Sequence, residues 1–301
     1  MTGEKVTVTV AIATLDRPAA LARCLDALAD GDVLPDEVLV VDQGSDAATE
    51  EIVRARVDRL PGLRRLAQDR RGLSASRNLA HAEARGAVLA VSDDDCVPSS
   101  GWVAAIADVF LLQPDVVAVT GPMHPLDPAV PGRVAISSRI GDLRVDWRGR
   151  PAPWLVGTGG NFAARRVWLD RVGGWDERLG AGSSGGAGED IALLDRLLAS
   201  GATVRYEPEA LVRHEGRPAS SRRATRSRYG RGVGTWCGIL LRAGDRGGAS
   251  MLVRWLALRL RLGVAAAVRR QAGEVGDEAR VLAGTAGGVV HGLRVGGRRD
   301  T

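Results

Sequence analysis

The feature that most constrains this fold is an alternation of apolar runs and helical patterns within the first 120 residues. The apolar runs are continuous and rich in β-branched residues, which is typical of strands buried on both faces. They cover residues 6–13, 36–41, 87–91 and 116–120. The helical patterns that alternate with them cover residues 19–28, 49–60, 75–84 and 101–112. Because parallel strands are joined by crossovers, usually helical, the alternation predicts an α/β fold with a doubly wound, mostly parallel, Rossmann-like sheet.

The rest of the chain changes character twice. Residues 121–158 are rich in Pro, Gly and Arg and show weaker periodicity, and from residue 218 onward the chain is Arg-rich and poor in acidic residues. The helices and strands predicted between these segments cover residues 167–172, 189–199, 204–208 and 210–213. We therefore expect one domain over residues 1–216 and a helical, basic C-terminal extension over residues 217–301.

The extension carries the positive charge of the chain. Residues 1–216 hold 24 basic and 31 acidic side chains, a balance of −7, and residues 217–301 hold 17 and 5, a balance of +12; together these give the net charge of +5. Residues 250–268 predict a basic amphipathic helix, with Arg254 and Arg261 on a different face from its apolar residues Met251, Trp255, Leu258 and Leu262. Such a helix either associates with a membrane surface or packs on the preceding domain, and both alternatives stay open.

Cysteine usage and hydropathy indicate the compartment. The three cysteines are far apart and form no CxxC pair, which fits a reducing environment. No stretch reaches 18 apolar residues without charge, and the first residues show no apolar signal region. We therefore expect a cytoplasmic protein, with the inner face of the membrane as the surface that the basic helix would contact.

Acidic side chains lie at or shortly after the ends of three of the predicted strands. Asp16 and Asp42 follow the first two strands, and Asp93–Asp95 lie at the end of the third. Because the carboxyl ends of parallel strands meet at one sheet edge, we expect these carboxylates to lie together and to repel each other unless a cation joins them. Oxygen ligands in this arrangement suit Mn²⁺ or Mg²⁺ bound to a substrate diphosphate. A solvated acidic turn is the alternative.

Eight segments form an ordered set of motifs. The first four lie at residues 8–18, 38–46, 72–78 and 87–98, and the others at residues 157–166, 173–177, 188–190 and 206–215. This set resembles the family 2 glycosyltransferases with the GT-A fold over about residues 5–216. The resemblance implies a nucleotide-sugar-binding half over residues 1–120 and an acceptor-binding half over residues 121–216.

The resemblance also implies roles for the acidic residues. Asp42 is expected to contact the base of the nucleotide, and Asp93 and Asp95 to form the Asp-x-Asp pair, with Asp95 as the direct metal ligand and Asp93 nearer the ribose. The residues implied for the nucleotide sugar are Thr14, Asp16, Asp42, Arg77, Asp93 and Asp94. Arg77 would approach the diphosphate, or else form an ion pair on a helix surface. The family commonly has a second Asp where this chain has Gln43, which leaves the identity of the base open.

A carboxylate at the start of the predicted helix 189–199 is the candidate base. An acceptor hydroxyl must lose its proton as it attacks the anomeric carbon, and a helix N-terminus keeps a carboxylate ionised. The resemblance assigns this role to Asp190, with Glu189 in support; helix capping by both residues is the alternative. No carboxylate stands out as a nucleophile for a double displacement, so we expect inversion.

Three further residues have two interpretations each. The resemblance implies that His214 can approach the metal or diphosphate, although a lone histidine also serves as an ordinary structural residue. Trp175 forms either an apolar wall for a sugar ring or part of the core. Asp176, which follows it, is grouped with Trp175 as acceptor-binding.

We therefore expect a hexosyl- or deoxyhexosyl-transferase that uses a UDP-, GDP- or dTDP-linked donor. Its acceptor would be a glycan, a lipid-linked glycan or a small molecule, in cell-surface polysaccharide, glycolipid or secondary-metabolite synthesis. A nucleotidyltransferase of similar fold is one alternative, but such enzymes usually carry a Gly-rich basic loop after the first strand, and residues 13–18 hold no glycine. A nucleic-acid-binding protein using the Arg-rich tail is another, but residues 217–301 contain only three aromatic residues to stack on bases.

Overall fold

The computed structural model describes residues 5–44, 47–126, 133–134 and 140–297, and the chain divides into two compact units. Unit 1 comprises Met1–Trp175 and Leu193–Gly216, and unit 2 comprises Asp176–Ala192 and Arg217–Thr301. Residues 176–192, which the sequence analysis assigns to the acceptor half, therefore group with the C-terminal helices. Part of the acidic turn expected at residues 42–46, namely Ser45 and Asp46, lies outside the described residues.

Unit 1 contains the large sheet. Its strands are β1 (Val8–Thr14), β2 (Glu37–Asp42), β3 (Leu63–Ala67), β4 (Val88–Asp93), β5 (Cys96–Pro98), β6 (Val116–Thr120), β7 (Met123–Pro125), β8 (Arg133–Val134), β9 (Val145–Trp147), β10 (Asn161–Arg165), β11 (Thr203–Tyr206) and β12 (Val212–His214). Its helices are α1 (Pro18–Ala29), α2 (Ala47–Arg54), α3 (Leu73–Glu83), α4 (Trp102–Leu112) and α5 (Arg166–Val172). Helix α6 (Glu189–Ala199) begins within the residues of unit 2 and ends within those of unit 1.

The sheet has eight strands in the order β3-β2-β1-β4-β10-β6-β11-β9. Strand β1 runs parallel to β2 and β4, and β2–β3 and β6–β11 are also parallel, whereas β10 is antiparallel to both of its neighbours. The predicted α/β fold with a mostly parallel sheet is therefore confirmed. Strands β3 and β10 were not predicted: the residues of β3 are mostly half-buried, and β10 lies in the segment that was expected to lead into α5.

The apolar side chains of the strands pack in two hydrophobic cores, one on each face of the sheet. In β1, Val10 and Ile12 belong to one core and Ala11 to the other. Helices α1 and α4 cover the first core, and α3 and the unit 1 part of α6 cover the second. This two-sided burial is the reason why the strand sequences are continuously apolar rather than alternating.

Unit 2 consists mainly of helices. Its elements are β13 (Arg217–Pro218), α7 (Arg222–Arg242), α8 (Arg246–Val268) and α9 (Ala272–Val295). The helix predicted at residues 250–268 corresponds to α8, and helices α7 and α9 were not predicted from the sequence. Helices α7 and α9 pack through glycines rather than large apolar residues, so they lack the apolar periodicity that marks α8. Within the described ranges, no helix has the length and apolarity to cross a bilayer.

Candidate functional site

The register of the sheet brings the acidic strand ends of unit 1 together. Thr14 at the end of β1 is aligned with Asp42 of β2, and Ala13 is aligned with Asp93 of β4. The hydroxyl of Thr14 donates a hydrogen bond to Asp94 Oδ2 at 2.8 Å. Side chains from three adjacent strands and the turn after β4 thus lie at one edge, as predicted from strand ends alone.

Four side chains at this edge are grouped as ligands of a metal ion would be. One ligand atom from each of Asp93, Asp95, Cys96 and His214 lies within 4.8 Å of the other three. Cys96 and His214 come together because β5 and β12 pair with these two residues in register. The two aspartates and His214 are candidate metal ligands predicted from the sequence, and Cys96 is not. Burial raises the pKa of the Cys96 thiol well above its ordinary value, which disfavours the thiolate form that binds metals.

The orientation of His214 suits metal binding. Its Nδ1 lies 2.7 Å from the backbone carbonyl oxygen of Glu215, and a carbonyl oxygen only accepts, so Nδ1 carries the hydrogen. In the neutral ring Nε2 then presents a lone pair, and it lies 3.3 Å from Asp95 Oδ1. In that tautomer Nε2 and Asp95 Oδ1 are both acceptors, so a proton or a metal ion can lie between them. A carbonyl that fixes the histidine tautomer is a common feature of metal sites, so these residues fit a divalent cation.

An arginine that sequence reasoning missed links two of the acidic residues. Arg17 Nη1 lies 2.7 Å from Asp94 Oδ1, and its Nη2 lies 2.8 Å from Asp95 Oδ2. Burial alone would lower the pKa of Arg17, but the two carboxylates raise it overall. Burial raises the pKa of Asp94 to about 6, against the opposing effects of Arg17 and Thr14. The guanidinium therefore offsets part of the repulsion at this edge without a bound metal.

Asp42, the residue expected to contact the base of the nucleotide, is buried, and both of its carboxylate oxygens accept hydrogen bonds. Its Oδ2 accepts from Arg65 Nε at 2.9 Å and its Oδ1 accepts from the backbone N–H of Gly44 at 2.9 Å. The next residue, Gln43, accepts from Gly72 N at 2.7 Å and so fixes the chain before α3. Asp16 is exposed and has a left-handed backbone with φ of 51°, which Asp tolerates better than most residues.

Arg77 belongs to the same edge but is not on a helix surface. Only 2% of the residue is exposed, and its Nη2 donates to Asp93 Oδ1 and to the carbonyl oxygen of Gly159, both at 3.0 Å. The ion-pair alternative is therefore observed, in a buried setting. On the other side of Asp93, a Cβ at Gly160 would lie 2.7 Å from Oδ2, so this glycine keeps room beside the carboxylate.

The two candidate catalytic carboxylates belong to unit 2. Asp190 lies in the first turn of α6, and its Oδ1 accepts from the backbone N–H of Ile191 at 2.8 Å. Glu189 is buried. Desolvation of the Tyr229 hydroxyl, with the negative charge of Asp190 and Glu189, raises the pKa of Tyr229. The charges of both carboxylates therefore reach the hydroxyl of Tyr229, which lies on α7 in the same unit.

The two residues grouped as acceptor-binding have structural partners. Trp175 is 3% exposed, meets Phe162 edge-on with ring centroids 6.2 Å apart, and exchanges two backbone hydrogen bonds with the side chain of Asn78. This position agrees with its core-packing alternative. Asp176, in unit 2, forms a two-point ion pair with Arg178, at 2.9 and 2.6 Å.

Comparisons with known proteins agree with this architecture. The family described as Glycosyl transferase family 2 matches residues 9–173, which is more than half of the chain. Chondroitin synthase of Escherichia coli is 27% identical over 252 residues, which cover 72% of this chain and 36% of that protein. The chain thus spans about a third of the length of that curated relative.

Two solved structures share the fold at low identity. The mannosyltransferase PcManGT from Pyrobaculum calidifontis, in complex with GDP-Man and Mn²⁺, has a TM-score of 0.63 at 19% identity, over 95% of this chain and 88% of that one. S. aureus TarS 1-349 in complex with UDP-GlcNAc has a TM-score of 0.62 at 16% identity, over 96% of this chain and 90% of that one.

Proposed function

Because the chain belongs to glycosyl transferase family 2, we propose that it transfers a hexosyl or deoxyhexosyl group from a nucleoside-diphosphate sugar to an acceptor hydroxyl, with inversion at the anomeric carbon. The observation that carries this proposal is the group of Asp93, Asp95 and His214 at the carboxyl edge of the parallel strands. This is where open α/β sheets bind their ligands. The family match also favours sugar transfer over the nucleotidyl-transfer alternative.

The donor is held at the sheet edge of unit 1. Bound Mn²⁺ or Mg²⁺, held by Asp93, Asp95 and His214, would supply Lewis-acid stabilisation of the charge that develops on the departing diphosphate. Thr14, Asp16 and Asp42 would contact the nucleoside at this edge. The donor complexes with GDP-Man and UDP-GlcNAc, in proteins of similar fold, support a nucleotide-sugar donor and leave uridine, guanosine and thymidine as candidates for the nucleoside.

Transfer is proposed to proceed by one displacement. The carboxylate of Asp190 takes the proton of the acceptor hydroxyl, the acceptor oxygen forms its bond to the anomeric carbon, and the bond from that carbon to the diphosphate oxygen breaks. The nucleoside diphosphate leaves with the bonding electron pair. The position of Asp190 in the first turn of α6 supports this role, because the positive end of the helix dipole stabilises a negative charge there. Glu189 supports Asp190.

The setting of the reaction follows from the same family resemblance. We propose a cytoplasmic enzyme that extends a cell-surface polysaccharide, a glycolipid or a secondary metabolite. The thiols of Cys24, Cys96 and Cys237 are buried and none of them is in a disulfide, which supports a reducing compartment. The acceptor would be a glycan, a lipid-linked glycan or a small molecule that carries the attacking hydroxyl.

The test separates the metal site from the base. A panel of UDP-, GDP- and dTDP-sugars is hydrolysed with Mn²⁺, and Mn²⁺ binding is measured by electron paramagnetic resonance. Asp95→Asn should weaken Mn²⁺ binding and turnover together, whereas Asp190→Asn should keep Mn²⁺ binding and lose transfer by roughly a hundredfold or more. Asp108→Asn, an exposed carboxylate on α4, is the matched control. Unchanged Mn²⁺ binding in Asp95→Asn would remove the metal site, and retained transfer in Asp190→Asn would remove the base.

A further inference from the structure

Helix α8 is held in unit 2 by one of its faces. Trp255 is fully buried, and its Nε1 donates a hydrogen bond to Thr285 Oγ1 at 2.9 Å. The guanidinium carbon of Arg259 lies 3.9 Å from the centroid of the Trp255 ring, and its Nη1 lies 3.5 Å from a carboxylate oxygen of Glu278. These contacts fix the rotation of the helix about its axis, so the residues on its opposite face are exposed by the packing itself.

The opposite face of α8 is apolar, although a solvent-facing helix surface is expected to be polar. Its large aliphatic side chains are mostly exposed: Val253 66%, Leu260 58%, Val264 64% and Val268 79%. Ala257, which is also exposed, lies between the first two. Steps of three or four residues place all five on one stripe along the helix. We call these five residues the α8 stripe. A contiguous exposed apolar surface of this kind marks an interaction site.

Arginines border the α8 stripe. Arg254 and Arg261 are exposed, and each follows a stripe residue by one position. Further exposed arginines stand near the ends of the helix: Arg246, Arg269 and Arg270. The sequence of α8 contains neither Asp nor Glu. An arginine can lay its aliphatic stem along an apolar surface while its guanidinium binds a phosphate in two-point geometry.

We propose that the α8 stripe docks on an anionic phospholipid surface, with its aliphatic side chains among the upper acyl chains and its arginines on the lipid phosphates. Charge complementarity selects this occupant. In a symmetric dimer, a second copy of the chain would bring the same arginines against each other, whereas phosphates neutralise them. The helix lies along the membrane surface and does not span it. The proposal stands independently of sugar transfer, because it concerns only residues on the exposed face of α8.

Sedimentation of the full chain with lipid vesicles tests the proposal. The vesicles contain phosphatidylcholine alone or phosphatidylcholine mixed with phosphatidylglycerol. The chain should sediment with the mixed vesicles at low salt and be released as salt screens the arginines. Leu260→Ser with Val264→Ser should weaken vesicle affinity by roughly tenfold or more. Arg254→Gln with Arg261→Gln should weaken it by about fivefold per arginine.

Control variants outside α8 distinguish binding by the α8 stripe from non-specific binding of the protein surface to vesicles. Leu112 and Val167 are each 68% exposed, so Leu112→Ser with Val167→Ser removes similar apolar area outside α8. Arg148→Gln with Arg223→Gln removes the same charge from exposed positions outside α8. Circular dichroism checks that each variant is folded.

Three outcomes would overturn the proposal. The first is equal loss of vesicle binding in the matched and α8 variants. The second is that the unmodified chain fails to bind the mixed vesicles, or binds neutral ones equally well. The third is a concentration-dependent dimer that Leu260→Ser with Val264→Ser dissociates, without vesicle binding, which would assign the stripe to a second copy of the chain.

Discussion

Buried carboxylates in unit 1 are repeatedly paired with arginine. Asp42 is held by Arg65, and Asp195, whose side chain is fully buried, is held by Arg150 at two points, 2.9 and 3.0 Å. A planar guanidinium can bind both oxygens of a carboxylate while its stem packs on apolar neighbours. Because each pair lies beside a core, the free energy of unfolding depends on both partners being present.

The Asp42–Arg65 pair gives a prediction about stability. In Arg65→Met, the buried carboxylate of Asp42 loses its guanidinium, so we expect the free energy of unfolding to fall by about 3 kcal/mol. Adding Asp42→Asn should restore part of that loss, because no charge is then left buried. Arg54→Met is the control: its ion pair with Glu50 is exposed on both sides and should contribute less than about 1 kcal/mol. Urea unfolding checks all four proteins, and equal losses in Arg65→Met and Arg54→Met would contradict the prediction.

Asp94 gives a prediction about pH. Burial raises its pKa in the folded chain from 3.8 to about 6, so between these values the folded chain holds more protons than the unfolded chain. The free energy of unfolding should therefore decrease as pH rises through this window, by on the order of 3 kcal/mol from this group.

Comparison with Asp94→Asn isolates that contribution. The variant cannot titrate at this position, so the stability of the unmodified chain relative to the variant should fall between pH 4 and pH 7. Urea unfolding in EDTA measures the difference. A difference that stays constant over this window would show that Asp94 does not titrate there.

At the scale of elements, α7 and α9 pack with their backbones in close contact. Glycines spaced four residues apart on each helix face backbone atoms of the other: Gly230, Gly234 and Gly238 on α7, and Gly284, Gly288 and Gly292 on α9. A Cβ at Gly234 would overlap the carbonyl oxygen of Thr285, and one at Gly288 would overlap that of Arg231. Because those atoms are backbone, they cannot move aside without separating the helices.

This packing predicts that replacing these glycines by alanine lowers the free energy of unfolding, the opposite of the usual effect of Gly→Ala in a helix. In an open helix, Gly→Ala stabilises by about 1 kcal/mol, but Gly234→Ala and Gly288→Ala should each destabilise by about 1–3 kcal/mol because of the overlap. Gly273→Ala is the control, since nothing lies within 4 Å of its added Cβ, and it should be neutral or stabilising. Urea unfolding of the three variants decides the point, and a stabilised Gly234→Ala would disprove the close packing.

At the scale of the whole molecule, the candidate metal ligands Asp93, Asp95 and His214 all belong to unit 1, whereas the candidate base and the α8 stripe belong to unit 2. A ligand that binds only the folded form stabilises what it binds, by RT ln(1 + [L]/Kd). With two compact units, heat unfolding need not be a single transition. Ligand binding can therefore be assigned to a unit by following which transition shifts.

We expect Mn²⁺ together with a nucleoside diphosphate to raise one unfolding transition in calorimetry. At a hundredfold excess over Kd, the gain is about 2.7 kcal/mol. Asp95→Asn should lose the Mn²⁺-dependent part of the shift, because Asp95 is the proposed direct ligand, and Asp108→Asn should keep it. A shift of equal size in Asp95→Asn would show that Mn²⁺ binds elsewhere.

The chain sequence by itself determined the parallel strands and the acidic edge. A strand buried on both faces is a continuous apolar run, and the residue that ends it is local information; Asp42 and Asp93 could therefore be placed at one edge from their positions alone. Helix α6 was predicted with its observed bounds, because its apolar residues recur at helical spacing. These features follow from the periods of strands and helices, which neighbouring residues set.

Only the tertiary structure decided which side chains meet. Arg17 binds Asp94 and Asp95 across 77 and 78 residues of sequence, and Cys96 joins the ligand group because β5 pairs with β12. The antiparallel insertion of β10 and the glycine packing of α7 on α9 are likewise long-range. Such contacts depend on how distant elements pack, and no local period or propensity encodes the pairing of one element with another.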